Sequence, residues 1–121
     1  MIQTIPITKE WVTNRIAQQD MLSLAAAAKH IDIPVNEMRE RLENKHILGV
    51  RISPNMWMVP KWQFDYAFLG IVERCFEVLS EHLQVLAFLE TPLAEHSNMT
   101  PNELAYGGKL IELLEHLEKN R

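Results

Sequence analysis

The stretch ILGVRISPNMWMVPKWQF, residues 47–64, places two short apolar segments on either side of a turn candidate. The turn candidate is Ser53-Pro54-Asn55-Met56, and Pro and Asn are residues that β-turns favour. β-Branched and aromatic side chains on both sides favour a two-stranded hairpin over residues 47–60. Because such a hairpin is only marginally stable alone in water, it needs other elements of the chain to pack against.

Two short helices are predicted just before the hairpin. Ser23 is a suitable N-cap for the alanine-rich segment 24–30, and Pro34 ends this helix by keeping Ile33 out of the helical region. The next segment, 35–44, is amphipathic. Its apolar face consists of Val35, Met38 and Leu42, and its polar face of Asn36, Arg39, Glu40 and Glu43. A small helix, a tight turn and an amphipathic helix indicate a helix-turn-helix.

On this helix pair the hairpin has the position of a wing, so the pattern predicts a DNA-binding module. In it the helix 35–44 enters the major groove, and the wing 47–60 holds the DNA backbone. We expect DNA contacts from Ser23, Asn36, Arg39, Glu40, Arg41, Lys45, Arg51, Asn55 and Lys61. The glutamates of the polar face repel phosphates, although a carboxylate can accept a hydrogen bond from the amino group of cytosine. A helical hairpin that only packs would show the same pattern, so a protein-interaction module with little or no DNA binding stays open as an alternative.

The same region resembles the small winged helix-turn-helix of excisionase and MerR-type DNA-binding proteins. The residues that match the closing part of that pattern are Leu48-Gly49, Trp57, Pro60 and Gln63-Phe64-Asp65. Asp32 stands at a turn position where the family usually has Gly, and Asp tolerates the left-handed backbone better than most residues. Arg41 occupies a position that is often apolar in the family, and we expect it to point outward to DNA. The resemblance implies a winged helix-turn-helix for residues 1–65.

Residues 66–121 predict a small helical bundle. A wide apolar stripe is formed by Phe68, Ile71, Val72, Cys75, Phe76 and Leu79, so Cys75 is expected to be a core side chain. The segment 83–89 is apolar nearly all round, which indicates burial within the chain or against a partner. Thr100-Pro101 and Glu103 form the signature of a capping box, and a last amphipathic helix follows Gly107. The predicted fold class is mainly α: a winged helix-turn-helix with a short two-stranded hairpin, then a small helical bundle.

The last third of the chain loosely resembles the C-terminal region of Xre/MbcA/ParS-type antitoxins. The matching segments are Phe88-Leu89-Glu90-Thr91-Pro92, Thr100-Pro101, Glu103-Leu104 and Gly107. Two positions depart from the pattern, because Ser97-Asn98 stands where Leu-Gly is usual and Ala105 replaces the second Leu of a Leu-Leu pair. The resemblance implies an antitoxin-like regulator whose rear half dimerises or binds a cognate toxin protein.

Composition and charge narrow the function classes. With 47% hydrophobic and 23% charged residues the chain is expected to fold, and its single cysteine excludes an internal disulfide. Residues 1–64 carry eight Lys/Arg against six Asp/Glu, and residues 65–121 carry four against ten, which divides the net charge of -4 into +2 and -6. This asymmetry suggests DNA binding in the first part and partner binding in the second. We expect a cytoplasmic protein with no membrane contact, since the sequence has neither a membrane-span pattern nor a signal-peptide pattern.

Catalytic and metal sites are not indicated by the sequence. Three histidines occur in Glu-His pairs without a metal-ligand spacing, and we expect Glu81-His82, Glu95-His96 and Glu115-His116 to be solvated surface groups. No Ser, His and Asp stand in a nucleophile context, so we predict no enzyme, no cofactor and no metal. A monomer with a weakly basic first half should bind DNA weakly, so we expect a homodimer on double-stranded DNA. The predicted dimer surfaces are the apolar helices at 68–89 or 109–119.

Overall fold

A computed structural model of the 121-residue chain describes residues 6–65, 68 and 70–119. In these residues it has a mainly helical fold with one small antiparallel sheet, which confirms the predicted class at that level. The α-helices are α1 Lys9–Ile16, α2 Leu24–His30, α3 Val35–Glu43, α4 Ile71–Leu79, α5 His82–Leu89, α6 Pro101–Tyr106 and α7 Leu110–Lys119. The strands are β1 Met21–Ser23, β2 Val50–Ser53 and β3 Met56–Pro60, and a 3-10 helix spans Lys61–Phe64. Among the described helices, the longest of which has ten residues, none combines the length and the apolar character needed to cross a bilayer.

The helix starts follow the capping residues that the sequence indicates. Ser23 Oγ accepts a hydrogen bond of 3.1 Å from the backbone N–H of Ala26 at the start of α2. At α6, the Thr100 hydroxyl accepts from the Glu103 N–H at 3.1 Å and the Glu103 carboxylate accepts from the Thr100 N–H at 2.9 Å, which completes the predicted capping box. The turn between α2 and α3 places Asp32 at φ 56°, the left-handed conformation expected for this position.

The predicted two-stranded hairpin is in fact part of a three-stranded sheet. The strand order is β1-β3-β2, with both pairs antiparallel, and Pro54-Asn55 form the turn between β2 and β3. The hairpin prediction was incomplete because β1 has only three residues, and its last residue, Ser23, also caps α2. A strand this short has no periodicity of its own and exists because β3 lies beside it.

Each face of the sheet covers a separate hydrophobic core. On β3, Trp57 and Val59 join the first core, whose other members are Ala27, Ala28, Met38, Leu42 and Ile47. The neighbouring Met58 points to the opposite face and packs on the second core, as expected from the alternation of side chains along a strand. The second core consists mainly of apolar residues from α4 to α7, together with Met21, Leu48 and Val50. Helix α1 also packs on it, although α1 precedes the α2–α3 pair in the sequence.

Helices α4 and α5 direct their apolar side chains into the second core. Phe68, Ile71, Val72, Cys75 and Phe76 are buried and Leu79 packs against them, as the predicted stripe requires. Residues 85–89 of α5 are all buried within the same chain, which decides one of the two alternatives for that segment. Burial raises the pKa of the Cys75 thiol to about 12, so this thiol is a core group.

Candidate nucleic-acid interface

Helix α3 presents a polar face to solvent because its apolar face is used in the first core. Met38 and Leu42 are completely buried, whereas Asn36 and Glu40 on the opposite face are exposed. Val35 begins the helix and keeps 39% of its surface exposed, so it contributes less to the core than its spacing indicates. The helix starts directly after Pro34, which is its N-cap residue and has the extended backbone typical of that position.

The two arginines of α3 lie on opposite flanks of the helix. Residues two positions apart are separated by about 200° around a helix axis, so Arg39 and Arg41 do not share a face. Arg41 is 3.5 Å from the carboxylate of Glu37 and borders the cavity next to Gln63 and Glu73. Arg39 is half-buried, and its Nε is shielded from solvent without a hydrogen-bond partner in the described part of the chain.

Arg51 links the β2–β3 hairpin to the end of α3. Its guanidinium donates a hydrogen bond of 2.9 Å to the carbonyl of Pro54 in the turn and lies 5.4 Å from the centre of the Trp57 ring. It also stands 4.0 Å from the carboxylate of Glu43. Because both side chains are about half exposed, this ion pair is a weak contact between the hairpin and the end of α3.

The remaining predicted contact residues lie on four different segments. Lys45, directly after α3, and Asn55, in the hairpin turn, are exposed, as is Ser23 at the start of α2. Lys61 follows the other end of β3, roughly 20 Å along the extended chain from Asn55 in the turn. There its backbone N–H donates to the carbonyl of Asp20, and it lines a cavity with the carboxylates of Asp20 and Asp65. The structure thus separates Lys61 from Asn55.

Two polar side chains fix the backbone behind this surface: Gln63 acts within the first half of the chain, and His82 joins the second half to the first. Gln63 is buried, and its side-chain amide forms hydrogen bonds with both backbone groups of Leu48. The ring of His82, the first residue of α5, accepts from the backbone N–H of Gly49 at 3.1 Å and contacts the carbonyl of Leu42 at 2.9 Å. Since a carbonyl only accepts, Nε2 carries the proton and Nδ1 is the acceptor. Burial lowers the pKa of His82.

The prediction that the Glu-His pairs are solvated was wrong for His82 and His116. His82 is clamped between the two halves of the chain, and His116 is 9% exposed and stacks on Phe88. Burial also lowers the pKa of His116. Nothing in the sequence indicated that these two histidines are buried. The hydrogen-bond partners of His82, for example, lie in helix α3 and in the loop that follows it. Within the described residues, no group of three or more His, Cys, Asp or Glu side chains could hold a metal ion.

A buried arginine holds α1 to α5 and was not found from the sequence. Arg15 donates hydrogen bonds of 2.7 and 2.8 Å to the carboxylate of Asp20 and two of 2.8 Å to that of Glu90. Burial alone would lower the pKa of the guanidinium, but the hydrogen bonds to both carboxylates raise it above its ordinary value. The partners are five and 75 residues away, so sequence spacing could not indicate the cluster.

A groove of about 710 Å³ separates the α3–hairpin surface from the start of α5. The first half contributes Ile7, Glu43, Lys45, Arg51 and Trp57, and the second half contributes Glu81, His82, Leu83 and Gln84. Charges of both signs line it, so the groove does not favour one simple ion. It does leave the surroundings of His82 open to water.

Comparisons of the chain with protein-family models, with curated proteins and with solved structures gave no match.

Proposed function

We propose that the protein is a DNA-binding transcriptional regulator whose residues 24–60 act as a winged helix-turn-helix. In this proposal α3 enters the major groove, α2 supports it, and the β2–β3 hairpin is the wing. The observation that carries the proposal is the position of α3. Met38 and Leu42 of its apolar side are buried in the first core, Asn36 and Glu40 of its polar side are exposed, and the guanidinium of Arg51 on the hairpin lies 4.0 Å from the carboxylate of Glu43 at its C-terminal end.

Arg39 and Asn36 are the proposed base-reading residues. Arg41 and Arg51 each stand near a carboxylate, whereas no ion pair within 4.0 Å is found for Arg39 among the described residues. An arginine without a carboxylate partner is available to guanine, and Asn pairs with adenine. Glu40 is exposed beside them and can accept from the amino group of cytosine.

Lys45, Asn55 and Ser23 are the proposed phosphate contacts. All three are exposed at the ends of α3, the wing turn and α2, respectively. The hydroxyl of Ser23 accepts from the Ala26 N–H and keeps its own proton for a phosphate oxygen. Arg41 and Arg51 are assigned to supporting positions. Lys61 is left outside the interface because of its place at the far end of β3.

The proposed DNA-bound form is a homodimer, because one copy offers few cationic contacts. Two dimer surfaces were predicted, at 68–89 and at 109–119. In the first of them, residues 85–89 of α5 are buried within the chain. Helix α7 instead exposes Ile111 at 72%, and Tyr106 at the end of α6 is 54% exposed. These exposed apolar side chains favour α7 as the dimer surface. The same patch supports the second candidate, a protein-interaction module that binds a toxin-like partner.

A salt titration tests the main proposal. DNA from upstream of the protein's own gene is titrated at two salt concentrations, with a scrambled duplex of equal length as the control. We expect saturable binding that weakens steeply with salt and exceeds binding to the scrambled duplex, because phosphate contacts release counterions. Absence of binding, or binding without salt dependence, would remove the regulator proposal and leave the protein-interaction module.

A further inference from the structure

We propose that His82 is a proton-operated latch that joins the second core to the end of α3 and the start of the hairpin. When its ring is neutral it binds both Leu42 and Gly49, and when it is protonated the bond to Gly49, and with it the connection to the segment before the hairpin, is lost. The latch itself is independent of DNA. Its consequence for DNA affinity rests on the proposed function.

The hydrogen bonds of His82 connect three separate segments. The imidazole belongs to α5, Leu42 lies in the last turn of α3, and Gly49 lies between α3 and β2. Gly49 is needed here for close approach, because a Cβ at this position would meet Leu42 Cδ2 at 2.7 Å and Trp57 Cε3 at 3.0 Å. A side chain there would push apart the groups that bring the Gly49 N–H to the ring.

Aromatic rings from both cores fix the plane of the His82 ring. Trp57, a member of the first core, lies 5.2 Å away with its ring at 63° to the imidazole. Phe76, a member of the second core, lies 4.8 Å away at 74°. The imidazole therefore has contacts in both cores, and its two nitrogens cannot exchange roles without a movement of these neighbours.

Protonation is incompatible with the hydrogen bond from Gly49, whereas Nε2 can still donate to the Leu42 carbonyl. A proton on Nδ1 would point at the Gly49 N–H, so two donors would face each other and that bond would be lost. The charged groups around the ring are Lys45, Glu81, Glu43 and Arg51, of both signs, so no single carboxylate compensates the new charge. Because His82 borders the open groove, water can hydrate the charged ring.

The direction of the pH effect follows from the lowered pKa. Because the folded protein holds the proton less tightly than an unfolded chain does, the latch contributes its full stabilisation above the ordinary histidine pKa of about 6.5. The stabilisation decreases as the pH falls and is lost through the lowered pKa of the folded protein. The Gly49 hydrogen bond should disappear over the same interval.

Nitrogen-15 NMR of the full chain between pH 7.5 and 5 tests the latch. We expect His82 Nδ1 to be unprotonated at pH 7.5, and the Gly49 amide signal to move with the protonation of His82 itself. His82→Asn supplies a carbonyl oxygen near the place of Nδ1 but does not titrate, so its Gly49 signal should stay constant. His46→Gln, at an exposed histidine, is the matched control and should behave as the unaltered protein. A Gly49 signal that ignores the His82 titration, or moves equally in His82→Asn, overturns the proposal.

DNA affinity measured over the same pH range separates the latch from the regulator proposal. We expect the unaltered protein to lose roughly fivefold more affinity than His82→Asn between pH 7.5 and 5, the equivalent of one hydrogen bond. Equal losses in the two proteins would contradict the functional consequence of the latch. Failure to bind DNA at any pH would count against the regulator proposal alone, because the NMR readout does not involve DNA.

Discussion

Gln63 and Leu48 are joined by two hydrogen bonds of 2.7 Å that run in opposite directions. Gln63 Oε1 accepts from the Leu48 N–H, and Gln63 Nε2 donates to the Leu48 carbonyl. Nε2 also donates to the carbonyl of Pro60 at 3.0 Å. The side-chain amide of Gln63 therefore connects the segment after α3 to the end of β3. Its paired hydrogen bonds with Leu48 resemble those that a neighbouring strand would form.

Gln63→Leu should strongly destabilise the fold. The substitution removes all three hydrogen bonds and leaves the buried backbone of Leu48 without these partners, at a cost of about 2 to 4 kcal/mol. The free energy of unfolding from urea titration measures the effect. Gln63→Glu is the companion variant, since it retains an acceptor for the Leu48 N–H but loses both donated bonds. A change below about 0.5 kcal/mol in Gln63→Leu would contradict the structural role.

Arg15→Met should destabilise the packing of α1 on α5. The aliphatic part of the side chain is retained, but the carboxylates of Asp20 and Glu90 lose the cation between them. We expect a loss of about 1 to 3 kcal/mol, less than for a fully buried pair because both carboxylates are partly exposed. Arg74→Met, at an exposed position of α4, is the control and should change stability by less than about 0.5 kcal/mol. Equal effects of the two substitutions would show that the cluster is not stabilising.

Arg39→Ala should weaken DNA binding in a sequence-dependent manner. Loss of a bidentate base contact costs about 1 to 3 kcal/mol at its own base pair and should relax specificity there. Lys45→Ala should instead weaken binding to all duplexes alike and reduce the salt slope by about one. Lys61→Ala, at the far end of β3, should leave the affinity nearly unchanged. A larger effect of Lys61→Ala than of Arg39→Ala, measured by fluorescence anisotropy, would refute the proposed interface.

Ile111→Asp should separate the proposed homodimer. A carboxylate at the centre of an apolar contact would be desolvated without a partner, whereas in the monomer it is exposed at no cost to the core. Sedimentation velocity should show a monomer for this variant, with lower affinity for a palindromic site. Glu115→Gln, at another exposed position of α7, should remain dimeric. A monomer in both the parent and Ile111→Asp would remove α7 as a dimer surface.

The parts of the fold that were predictable are those encoded by neighbouring residues. Ser23 and Thr100 identified helix starts because a cap and its partners lie within one turn, and the periodicity of 68–79 identified the buried face of α4. Strand β1 was missed because its structure depends on β3, almost forty residues later.

The polar contacts of the interior were the least predictable part of the molecule. Arg15 reaches Glu90 over 75 residues, and His82 reaches Leu42 over 40. The sequence shows that these side chains are polar, but only the tertiary fold determines which of them become buried. The candidate site also has a predictable and an unpredictable part. The polar face of α3 was predicted from its periodicity, whereas the pairing of Arg41 and Arg51 with carboxylates depends on side-chain geometry.

The sheet with a core on each face has a practical consequence for cutting the chain. A fragment ending at residue 65 would retain all three strands. It would expose Met21, Leu48 and Val50, which in the intact chain are buried in the second core against α4 to α7. The complementary fragment, residues 66–121, would lose the sheet and helix α1, which pack on the second core. Expression of either half alone should therefore give aggregation-prone material, and limited proteolysis of the intact protein should yield no long-lived piece bounded near residue 65.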